Sequence, residues 1–86
     1  MQDDFRQKLA LIVDLAGVSR SGLAREIGID KSVVSRWVSG ATRPSAASLD
    51  QLTAKLAGRV AGLRRSDWER PLDVIEAKFE TSSLAR

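Results

Sequence analysis

Eighty-six residues, 43% hydrophobic and 29% charged, allow one small globular domain with a modest core. The chain has no Cys and no His, which excludes disulfides and thiolate metal sites and removes the commonest general base and metal ligand. The net charge of +3 is only mildly basic, and no apolar run approaches the ~18 residues needed to span a membrane.

The first predicted element is a helix from about Asp4 to Ala16. Phe5, Leu9, Ile12, Val13 and Ala16 recur at helical spacing as one apolar stripe, with Asp3 or Asp4 as N-cap and Gly17 as stop. A second helix is expected over Arg20 to Ile27 with Ser19 as N-cap, and Leu23, Ala24 and Ile27 face inward. Gly28 follows, where a helix end favours a residue that tolerates positive φ. Asp30 caps a third helix, Lys31 to Ser39. Its inward face is Val33, Val34 and Trp37, which leaves Lys31, Ser32, Ser35 and Arg36 outward. Gly40 ends it, and Pro44 forbids a simple continuation.

A fourth helix starts near Ser45 or Ala46. Leu49, Leu52, Leu56, Val60 and Leu63 extend its stripe. Gly58 interrupts the pattern at a cost of ~1 kcal/mol relative to Ala, and Gly62 is the better stop. Ser66 and Glu69 fit a capping box around Trp68, and Pro71 either breaks this turn or begins a last helix at its first position, with a helix expected over about Leu72 to Glu80. Leu72, Ile75 and Phe79 form its stripe, and Thr81 to Arg86 is expected to fray. Residues 66–86 thus read as a helical extension to a bundle over residues 1–65. The extension can pack on the first helix or form a self-complementary dimer seam.

The second and third helices make a helix-turn-helix. Ala24 is small enough for a close crossing, Gly28 permits the turn, and Ile27, Val34 and Trp37 fix the angle. Ala24, Gly28, Val34 and Trp37 also stand at the spacings of the lambda repressor/Cro-like (XRE) family, which the stretch from Asp4 to about Leu56 resembles. The loop Gly40 to Ser45, G-A-T-R-P-S, is similar to that family's turn into its fourth helix. Ser66-Asp67-Trp68 resembles its fifth-helix start, arriving some residues late. The resemblance implies an all-α, lambda-repressor-like bundle of four to five helices. It also implies sequence-specific binding of double-stranded DNA by a bacterial or phage transcriptional regulator.

Under that resemblance the third helix enters the major groove, so Lys31, Ser32, Ser35 and Arg36 are the expected base contacts. Arg20 at the start of the second helix is an expected phosphate contact, as are Thr42 and Arg43 in the loop. Asp30 reads as an N-cap more readily than as a base contact, and Trp37 as core. Charge distribution agrees: residues 20–65 carry nine basic and three acidic residues, whereas residues 66–86 carry three basic and five acidic. The rival reading is a helical adaptor or antitoxin-like module that docks through its C-terminal helix. With no His, Cys or Tyr, no Gly-rich phosphate loop and no metal-ligand cluster, no enzyme, cofactor or metal is expected. The N-terminus, Met-Gln-Asp-Asp, is unlike a signal peptide, so the expected location is cytoplasmic. A homodimer or a further regulatory domain stays open as a partner besides DNA.

Overall fold

A computed structural model describes residues 4–84, with side chains through Phe79. Among them are five α-helices, one 3-10 helix and no strand. They run α1 (Phe5–Ala16), α2 (Arg20–Ile27), α3 (Lys31–Ser39), α4 (Ala46–Ala57), the 3-10 helix (Arg65–Glu69) and α5 (Leu72–Leu84). The bundle is all-α, as the periodicity predicted.

The helix-turn-helix closes as its local signals require. The Ser19 hydroxyl accepts from the Gly22 N–H at 2.9 Å and starts α2. Gly28, at φ 74°, turns the chain in the left-handed region that a side chain disfavours. The Ile29 N–H then reaches back to the Ala24 carbonyl at 3.0 Å, satisfying one of the carbonyls that the helix end exposes. Leu23, Ala24, Val34 and Trp37 are buried, and Ile27 and Val33 are half-buried against them. The small side chain of Ala24 lets α2 and α3 cross closely, and the crossing leaves it only 2% exposed. Phe5, Leu9 and Ile12 of α1 and Leu49, Leu52 and Leu56 of α4 complete this core.

Four local expectations are corrected. Asp4 stands at the N-cap of α1 but its side chain makes no cap bond there, and Asp3 lies outside the described residues. The Asp4 carboxylate instead accepts from the Leu72 N–H at 2.9 Å, so it serves the first turn of α5. The fourth helix stops at Ala57, not near Gly62. Gly58 is the worst helix former of the stretch after Pro, and beyond it the Arg59 and Val60 N–H groups both turn back to the Leu56 carbonyl. Val60 and Leu63 are buried all the same, delivered by turns instead of a helix. The Ser66–Glu69 capping box does not form. Asp67 takes the role, and its carboxylate accepts from the Arg64 N–H at 2.8 Å. Finally, α5 continues past Glu80 to Leu84 instead of fraying from Thr81, and residues 85–86 lie outside the described residues.

The region after α4 is tied to α1 by contacts distant in sequence. Trp68 is buried, with its ring centroid 5.4 Å from that of Phe5, and its indole N–H donates to the Thr53 hydroxyl at 2.7 Å. That hydroxyl donates in turn to the Leu49 carbonyl at 2.6 Å. Lys8, expected on no apolar stripe, is only 4% exposed. Its ammonium donates to the Trp68 and Arg70 carbonyls and pairs with Asp4 at 3.1 Å, so all three of its protons have an acceptor. Asp67 is likewise buried, with Lys78 at 2.9 Å and Arg70 at 3.4 Å. Ile75 and Phe79 of α5 are buried in the same core, against α1. No buried polar side-chain atom among the described residues lacks a partner.

Candidate nucleic-acid interface

The position of α3 follows from its apolar side. Burial of Val34 and Trp37 turns Lys31, Ser32 and Arg36 outward, and all three are exposed. Ser35 lies at the edge of that face and is half-buried. The guanidinium of Arg36 donates from Nη2 to the Ser32 hydroxyl at 3.4 Å, one helical turn apart. The two groups therefore share one patch of the outward face.

Asp30 is the one carboxylate at the start of this face, and it is engaged. Its Oδ1 accepts from the Ser32 N–H at 2.9 Å, which satisfies a donor at the positive end of α3. That backbone bond is the main reason its pKa lies below the usual carboxylate value, with the Ser32 hydroxyl and the charge of Arg36 adding to it. Asp30 is thus an ionised cap, as its place in the sequence suggested.

The other expected contacts gather around the C-terminal end of α3. Arg20 lines a surface cleft with Val38, Val13 and Val18. Thr42 and Arg43 line a second cleft of about 120 Å³, together with Ser39, Gly40, Phe5 and Arg6. The Arg43 guanidinium lies over the Phe5 ring, 5.1 Å from its centroid. Gly40, at φ 86°, ends α3, and a Cβ added there would sit 2.7 Å from Cδ of Arg6. The Arg6 side chain therefore passes close over Gly40, where the absence of a Cβ leaves it room. Arg6 was not among the expected contacts. It adjoins Phe5 on an otherwise solvated face, and only the crossing of α1 over the end of α3 brings it to the loop.

Arg59 pairs with Glu26 at 3.2 Å and Arg65 with Asp50 at 2.9 Å, so these two arginines tie the turn after α4 to α2 and the 3-10 segment to α4. Among the described residues no group of three or more His, Cys, Asp or Glu is arranged to hold a metal ion. No helix among them is long and apolar enough to cross a membrane.

Residues 9–63 match the protein-family model described as helix-turn-helix. No curated protein and no solved structure matches the chain.

Proposed function

Since the chain belongs to the lambda repressor-like (XRE) helix-turn-helix family, whose members are DNA-binding transcription regulators, we propose that it binds double-stranded DNA sequence-specifically with α3 in the major groove. The observation that carries this reading is the outward face of α3. Lys31, Ser32 and Arg36 are exposed on a helix whose opposite face is locked into the core, and the nearest carboxylate is spent as a cap. A rigid helix with short polar and long cationic side chains is what base-edge readout needs. Arg36 offers two parallel donors to a guanine edge, Lys31 one strong donor, and Ser32 and Ser35 short hydroxyls. Arg20, Thr42 and Arg43 take phosphates on the flanks and set the register. The setting would be transcriptional regulation of the bacterial or phage kind, without chemistry on the DNA.

The adaptor reading has less to stand on. Of the stripe it relied on, Ile75 and Phe79 are buried within this chain and Leu72 is half-buried, and Val74 is the large hydrophobic that stays exposed on the described part of α5. Whether a second copy joins on DNA is read from the preferred site. Two half-sites about 34–36 Å apart mean a two-fold dimer, and a single short site means a monomer.

Arg36→Ala tests the assignment of readout. Binding to a site selected from random duplexes should weaken by about 1–3 kcal/mol, with relaxed preference at one base pair. The loss on random duplex should be smaller. An equal loss on every sequence would make Arg36 a phosphate contact instead.

A further inference from the structure

The cleft between α1 and the α3–α4 loop is lined by Arg6 and Arg43. Its loop cannot offer backbone donors from Ala41 and Thr42. Both N–H groups turn inward to the Arg36 carbonyl, at 2.9 and 3.3 Å, to close the end of α3. The Ser39 hydroxyl is also committed, donating to that carbonyl at 3.1 Å and accepting from the Ala41 N–H at 3.4 Å. The donors that line the notch beyond these committed groups include the side chains of Arg6, Thr42 and Arg43. Two guanidiniums line the notch from different parts of the chain, Arg6 from α1 and Arg43 from the loop, with the Thr42 hydroxyl between α3 and Arg43 in sequence. The Arg6 side chain passes close over Gly40, where a Cβ would meet its Cδ, and the Arg43 guanidinium lies over the Phe5 ring. No ion pair among the described residues joins Arg6 to a carboxylate.

We infer that Arg6 and Arg43 form a two-guanidinium clamp for one backbone phosphodiester of bound DNA, which makes α1 a DNA-contacting element beside α3 and its loop. The inference rests on the DNA-binding reading. Arginine suits this role because its planar fork matches phosphate oxygens in pairs. A shared phosphate also predicts non-additivity. One guanidinium still neutralises the phosphate when the other is removed, so the counterion released there is lost only when both are gone.

The test is the salt dependence of binding to a random-sequence duplex by wild type, Arg6→Gln, Arg43→Gln, the double variant and Arg6→Lys. Each released counterion contributes a slope of about −0.9 in log K against log salt. The double variant should have a slope shallower by about that amount, whereas either single variant should change it by clearly less than half. Between about 50 and 200 mM salt, wild type should therefore lose roughly 3.5-fold more affinity than the double variant. Arg6→Lys should keep the wild-type slope, and thermal melts of all variants should coincide. Wild-type behaviour of Arg6→Gln, combined with a double variant no different from Arg43→Gln, would overturn the clamp while leaving DNA binding intact. Two full, additive losses would assign separate phosphates and overturn it also. Failure of wild type to bind any duplex would remove the DNA reading, and the clamp with it.

Discussion

Trp68→Ala should destabilise the fold by about 3–5 kcal/mol, a large share of the 5–15 kcal/mol total typical of a small domain. The side chain fills the space between α1 and α4. Its ring lies 5.4 Å from Phe5, and its N–H bonds a Thr53 hydroxyl that is itself held by the Leu49 carbonyl. Truncation opens a cavity and strands that hydroxyl as an acceptor. Trp68→Phe separates the two contributions. It keeps an aromatic partner for Phe5 but loses the polar bond, at a cost of about 1–2 kcal/mol. Urea unfolding of the three proteins measures both. A loss below about 1 kcal/mol for Trp68→Ala would mean that the 3-10 segment is dispensable to the core.

Lys8→Met should cost about 3 kcal/mol although Met matches Lys in length and suits an apolar site. The ammonium satisfies the Trp68 and Arg70 carbonyls and pairs with Asp4, and Met satisfies none of them. For a domain of this size the melting temperature should fall by roughly 12–24 °C. The variant should also lose an acid transition. Partial burial works to raise the Asp4 pKa, but the Lys8 hydrogen bond and charge and the Leu72 N–H outweigh it and hold the group below its usual value of 3.8. A carboxyl whose folded pKa is depressed stabilises the fold above its unfolded pKa, and that contribution is lost as pH falls through the folded value. Wild type should therefore lose this contribution below about pH 4, and Lys8→Met should lose less over the same range. An unchanged melting temperature in Lys8→Met would show that the buried ammonium contributes nothing net.

These two residues also mark where sequence reading stopped. Helices α1 to α3 were legible because everything that fixes them is local. Ser19 bonds Gly22, Asp30 bonds Ser32, and the apolar positions repeat at helical spacing. The exposure of Lys31, Ser32 and Arg36 follows from the same repeat, whereas Ser35, expected on the same face, is half-buried at its edge. Lys8 could not be, because its carbonyl partners lie 60 and 62 positions away and no local pattern distinguishes it from a solvated lysine. Asp4 reads as a cap for the helix it precedes but serves one that starts 68 positions later. The burial of Val60 and Leu63 was visible in the stripe, but not their delivery by turns, since Gly58 keeps helical backbone angles while ending the helix. Arg6 falls in the same class: its nearness to Gly40 exists only once α1 has crossed the end of α3.

DNA readout by α3 is tested by titrating a selected duplex and a random one across a salt series, with wild type beside the Lys31→Ala/Arg36→Ala variant. For wild type, log affinity should fall linearly and steeply with log salt on both duplexes. Wild type should also prefer the selected duplex markedly, a preference that the double variant loses with its melting temperature unchanged. Equal preference in the two proteins, or no binding to either duplex at low salt, would contradict readout by α3.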